Sequence, residues 1–139
     1  MSTFRTTRDI PATPAEVFAA IQDPARLARW WGPRGFTNRF NSIEFKVGGK
    51  WSFVMIGPDG KTYANESSFI AIDTDRKVVI RHVSAPNFVL TILLEGTSAG
   101  ARVTWEQVFD DPAVADAVRH IVEPANEQNL DRLAAETLS

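Results

Sequence analysis

Histidine is the side chain best suited to moving protons near neutral pH, and this sequence has two, His82 and His120. His82 ends the run Val78-Val79-Ile80-Arg81-His82, where alternation places it on one face with Val78 and Ile80. A histidine on an apolar face either anchors a ligand and exchanges a proton with it, or sits neutral against one neighbour. His120 follows Arg119 in a polar stretch and reads as solvated surface. Tyr63, Asn65, Ser67 and Phe69 alternate along a second run, and Gln107 shares a face with Val103, Trp105 and Phe109 in a third. Together these residues can set a few hydrogen-bonding groups into an apolar hollow, the usual make-up of a small-molecule site. The four tryptophans, Trp30, Trp31, Trp51 and Trp105, are the largest apolar investment. Trp31, just before Gly32-Pro33, is the candidate for the mouth of such a hollow.

Other chemistry is excluded or unsupported. No cysteine is present, so disulfides, thiol nucleophiles and thiolate metal sites are ruled out. Gly60-Lys61-Thr62 resembles the end of a phosphate-binding loop, but Met55 stands where the first glycine is required. There is no His-Glu-x-x-His and no nucleophile elbow around a serine. Asp110, Asp111 and Asp116 cluster at an expected helix start, where the helix dipole accounts for them. Arg26, Arg29, Arg34 and Arg39 gather loosely near the tryptophan pair and read as a solvated face. Neither a metal nor an organic cofactor is called for.

The elements that must carry these groups can be read from periodicity. The 139 residues suit one domain, 1–139. With 15 Lys+Arg against 17 Asp+Glu the net charge is −2, which argues against a nucleic-acid or anionic-membrane binder. No apolar leader or spanning run is present, so the expected location is cytoplasmic. A strand over Phe4 to Ile10 comes first. A helix follows, with Thr13 as cap, Pro14 at its first position and Glu16 completing a capping box. A second short helix starts at Asp23-Pro24 and stops at Gly32-Pro33. Strands are then expected at 43–47, where Ile43, Phe45 and Val47 alternate, and through Trp51, Phe53 and Met55. Further strands are expected over Tyr63 to Ile72, Val78 to His82, Phe88 to Leu94 and Val103 to Phe109, joined by short turns. The tail from Asp111-Pro112 is helical, with Leu130, Leu133 and Leu138 in its second part. Pro124 must kink or end it, for want of a donor. The fold class is α+β: a curved antiparallel sheet of six to seven strands wrapped around a C-terminal helix.

Ile10-Pro11-Ala12-Thr13-Pro14 with Val17-Phe18, then Trp30-Trp31-Gly32-Pro33, resembles the START and Bet v-like helix-grip superfamily (SRPBCC). Gly48-Gly49-Lys50-Trp51 with Phe53 and Met55, and Pro58-Asp59-Gly60 before Tyr63, resemble its branch named for the activator of the ninety-kilodalton heat-shock-protein ATPase. The resemblance runs from about Phe4 to Leu138. It implies a cavity between the sheet and the last helix. His82 stands where members often carry an aromatic residue, and the Gly-Trp pair frequent near Asn126 to Gln128 is missing.

The first functional expectation is a binder of a small apolar or aromatic molecule, lined by Trp31, Trp51, Phe53, Met55, Tyr63, Asn65, Phe69, His82, Leu90, Trp105, Gln107 and Leu130. The second, implied by the family alone, is a co-chaperone-like module that binds a heat-shock-protein ATPase. The third is a cofactor-independent cyclase-like or hydrolytic enzyme working through His82 with Tyr63 or a nearby carboxylate. A monomer or a homodimer fits each of them.

Overall fold

In a computed structural model, which describes residues 2–139, the expected capping box forms. Thr13 accepts from the Glu16 amide while the Glu16 carboxylate accepts from the Thr13 amide, and Pro14 opens helix α1 (Pro14–Gln22). Asp23 then ends α1 and caps α2 (Pro24–Trp30) by accepting from the Ala25 amide. These helices follow strand β1 (Thr3–Ile10). Six strands come next: β2 (Thr37–Ile43), β3 (Lys50–Ile56), β4 (Thr62–Asp73), β5 (Lys77–His82), β6 (Phe88–Thr97) and β7 (Gly100–Phe109). Helix α3 (Pro112–Leu138) ends the chain. The strands form one antiparallel sheet in the order β1-β7-β6-β5-β4-β3-β2. This is the helix-grip arrangement that the sequence predicts.

One strand lies earlier in the chain than expected. Residues 43–47 alternate correctly but do not form a strand beyond Ile43. Phe40 and Ile43 reach the core because a bulge between Phe40 and Ser42 resets the register of β2. The chain then folds on itself: the Glu44 amide bonds the Lys50 carbonyl and the Gly49 amide bonds the Lys46 carbonyl. A Cβ on Gly49 would lie 2.0 Å from the Glu44 carbonyl oxygen, so only glycine fits there. Phe45 still points inward, edge-on to Phe18 and Phe69, whereas Val47 is exposed. Alternation recorded the burial of Ile43 and Phe45 but not the path of the hydrogen bonds.

Pro124 does not end α3. The helix continues across it to Leu138. Proline removes one backbone bond and crowds the preceding turn, but Pro124 is exposed, and the residues beyond it are strongly held. Asn129, Leu130, Leu133 and Thr137 are buried there, against Ala115 before it. The main core joins Trp30, Trp31, Trp51, Phe53, Phe69, Trp105, Leu130 and Leu133 between the sheet, α1, α2 and the end of α3. Phe4, Phe109 and Ala115 make a smaller cluster under the start of α3. Among the described residues no helix is long and apolar enough to cross a membrane.

Candidate functional site

The core does not fill the whole space beneath α3. Between the middle of that helix and the concave face lies a half-open cavity of about 240 Å³. The sheet contributes Phe53 and Met55 from β3, Asn65 from β4, His82 from β5, Phe88 and Leu90 from β6, and Trp105 and Gln107 from β7. Trp31, Gly32 and Pro33 close one side, Pro86 another, and Ile121, Val122, Ala125, Asn126 and Asn129 of α3 form the roof. None of these residues is an acid, a lysine or an arginine.

Of the twelve residues expected at the site, eight line the cavity: Trp31, Phe53, Met55, Asn65, His82, Leu90, Trp105 and Gln107. Trp51, Phe69 and Leu130 belong to the solid core beside it, each almost wholly buried. Tyr63 shares the strand face of Asn65 but sits near the hairpin, 49% exposed, with its ring against Phe36. His120 is exposed.

The polar groups of the cavity are held in specific geometry. The His82 ring stacks on Phe88 with centroids 4.5 Å apart and planes at 10°. Its Nδ1 lies 2.8 Å from the Pro86 carbonyl, its Nε2 lies 2.7 Å from Asn65 Oδ1, and Ser84 Oγ is 3.3 Å from Nε2. Burial pushes the imidazole below its usual pKa, against the upward pull of its contacts at Pro86 and Ser84. Both ring nitrogens therefore face neutral groups, and no carboxylate orients the ring for acid–base work. Asn126 Nδ2 donates to Gln107 Oε1 at 3.1 Å, tying the roof to the floor. The indole N–H of Trp105 is buried without a partner. Trp30, by contrast, donates its indole N–H to the Ala20 carbonyl at 2.9 Å.

The mouth is fixed from behind by α3. Arg132 Nη1 and Nη2 donate to the carbonyls of Arg29, Trp31, Gly32, Pro33 and Phe36 at 2.7 to 3.2 Å. Some of these oxygens are the otherwise unpaired acceptors at the end of α2, where a cation is favoured. Asn129 accepts from the Gly32 amide and donates to the Trp30 carbonyl. Gly32 itself has φ +97°, and a Cβ there would come within 2.7 Å of Met55 Cε. Glu136 anchors the same helix to α2 through Arg26 and Arg29, whose guanidinium groups hold its carboxyl below the usual range. Two of the four loosely grouped arginines are thus structural.

The roof residues Asn126 and Asn129, and Arg132 behind them, escaped the sequence reading. Val122, Asn126, Asn129 and Leu133 repeat at i, i+4, i+7 and i+11, so two amides sit on a stripe that should be apolar. That anomaly was the available signal. A larger depression of about 560 Å³ lies at the other end of β5 and β6, lined by Asp73, Asp75, Arg76, Lys77 and Glu95. Its charges are of both signs on an open rim, and it lacks the apolar enclosure of the cavity under α3.

Residues 11–137 match the family described as activator of Hsp90 ATPase homolog 1-like protein. The chain belongs to that family. Solved structures show the same fold in other members and relatives. A protein of Chromobacterium violaceum is 24% identical, with 97% of this chain and 96% of that one covered and a TM-score of 0.85. One from Arthrobacter aurescens is also 24% identical, covering 99% and 86%, with a TM-score of 0.90. The AHSA1 protein from Silicibacter pomeroyi is 23% identical, covering 98% and 97%, with a TM-score of 0.77. At these identities the likeness shows the fold alone. No curated protein matches the sequence significantly.

Proposed function

We propose that this member of the activator of Hsp90 ATPase homolog 1-like family binds a compact, largely apolar aromatic molecule between its sheet and α3. The observation that carries the reading is the hollow itself: side chains are fully buried at Phe69 and Leu130, and packing stops where His82, Gln107 and Asn126 meet an aromatic lining. Evolved interiors leave few voids larger than a water molecule, so space of this size with convergent polar groups supports a ligand site. An apolar cavity of roughly 150 Å³ admits benzene. The one here, about 240 Å³, suits one substituted ring or two fused rings better than a lipid.

Trp31 and Trp105 line the space, so their fluorescence reports occupancy. Titration with single-ring and two-ring aromatic compounds should give a saturable change. Ala125→Trp, on the half-buried roof, should abolish that change while the variant keeps its circular dichroism and melting temperature. No saturable change with any compound, in the native protein or the variant, sinks the reading.

The family description supports a second reading, in which the protein docks on an Hsp90-type chaperone and stimulates its ATPase. A pull-down with the chaperone and an ATPase assay at tens of micromolar decide it. Absence of both binding and stimulation removes it.

A further inference from the structure

The ring of His82 is held between two oxygens that can only accept. The Pro86 carbonyl faces Nδ1 at 2.8 Å and Asn65 Oδ1 faces Nε2 at 2.7 Å. Asn65 cannot reverse its amide without loss, because its Nδ2 donates to the Tyr63 carbonyl at 2.9 Å. Reversed, it would set two acceptors against each other. A neutral imidazole carries one N–H, so either tautomer leaves a ring lone pair facing an oxygen. The Ser84 hydroxyl, 3.3 Å from Nε2, can donate to that lone pair but does not remove Asn65 Oδ1. Only the doubly protonated ring gives both oxygens a donor.

The surroundings lack the anion that such a ring requires. From β4, His82 meets Asn65 and, in register, Ser67; from β6, Phe88; from the connecting loop, Ser84 and Pro86. From α3 the cavity receives Ile121, Val122, Ala125 and Asn126. None of these is charged. The neighbouring Arg81 disfavours a second cation and is engaged by both oxygens of Asp110. The cavity thus offers a cation's hydrogen bonds without a counter-charge from the protein.

We infer that the cavity takes its ligand as the anion of a compact aromatic acid, held against a doubly protonated His82. The inference rests on the cavity being a ligand site. The ring system of the acid lies among Phe53, Phe88 and Trp105. Gln107 Oε1 is occupied by Asn126, which leaves Gln107 Nε2 as a neutral donor for the carboxylate. Burial works against the imidazolium, and a negative charge in the same enclosed space reverses that balance. Binding is then coupled to proton uptake at neutral pH.

The test compares benzoate and 2-naphthoate with their amides, benzamide and 2-naphthamide, by titration calorimetry at pH 7 in phosphate and in Tris. The acids are expected to bind at least about tenfold tighter than the amides. They should take up a proton, approaching about one per ligand. Nuclear magnetic resonance of the two imidazoles should show the His82 midpoint rising when 2-naphthoate is bound, with the exposed His120 as internal reference. Equal affinity of acid and amide without proton uptake overturns the inference and leaves the ligand site standing. Failure of all four compounds to bind overturns both. Asn65→Asp supplies the anion from the protein itself. It should raise the His82 midpoint in the free protein and weaken 2-naphthoate about tenfold more than it weakens 2-naphthamide. Undiminished binding of the acid to that variant also overturns the charge pairing.

Discussion

Beyond Pro124, α3 buries Asn129, Leu130, Leu133 and Thr137, and ties Arg132 and Glu136 to α2 and the loop after it. Before Pro124 the same helix buries Ala115 and leaves Ile121 60% exposed. The last turns complete the core; the middle turns, from Ile121 to Asn129 on both sides of Pro124, roof a space that the core leaves open. The difference separates two jobs along one element. Burial of large side chains and saturated carbonyls fixes the C-terminal half, and that fixation also places Trp31, Gly32 and Pro33 at the mouth. The N-terminal half is held by smaller contacts: Ala115, Val114, Val118 and Val122 on the Phe4–Phe109 pair, and the Arg119 guanidinium over the Phe4 ring.

This contrast is most directly broken by truncation. Leu130→Ala removes a fully buried side chain from the main core and should cost about 2–5 kcal/mol in urea unfolding, since the packed neighbours cannot collapse into the gap. A loss below that range would mean that the C-terminal half is not the anchor. Arg132→Met keeps the apolar stem but strips the donors from five carbonyls. It should cost about 1–3 kcal/mol and increase hydrogen exchange at 31–36 before it does so in the sheet. Pro124→Ala should act in the opposite direction. It restores a helical donor at an exposed site and should stabilise α3 by about 1 kcal/mol or more, read as a higher melting temperature. Ile121→Ser, on the exposed rim of the roof, should change stability by no more than about 0.5 kcal/mol while weakening any aromatic ligand.

The smallest effect expected is a pH slope. Burial holds the His82 pKa below its ordinary 6.5, so the unfolded chain takes its proton first as pH falls. Stability is flat with respect to this group above that value and declines as pH drops from it toward the folded midpoint. His82→Gln should flatten unfolding free energy across that window. An unchanged slope would show that the ring is not buried as described.

Capping chemistry was fully legible in the sequence. Thr13 with Glu16, Asp23 with Pro24 and Asp111 with Pro112 start three helices, because each pattern satisfies donors within a few residues of itself. Strand alternation located most of the cavity wall, since residues two apart must share a face. It misplaced one strand, because Ile43 and Phe45 reach the core by way of a bulge and a folded loop rather than a ladder. It also gathered Trp51 and Phe69 with the site, as the helical stripe of the tail did Leu130, since side-chain facing does not distinguish filled from open space.

The sequence alone determined the elements, their order and the inward faces, all of which follow from short-range hydrogen bonding and the periods of helix and strand. Only the tertiary structure decided where packing stops. That boundary depends on how far α3 stands from the sheet at each point, which is set by Arg132, Glu136 and Asn129 reaching α2 and the loop after it, about a hundred residues away along the chain. The two oxygens opposite the His82 nitrogens come from closer by, the Pro86 carbonyl in the loop after β5 and Asn65 on the paired strand β4, but that α3 encloses them in an uncharged hollow is again decided by tertiary packing.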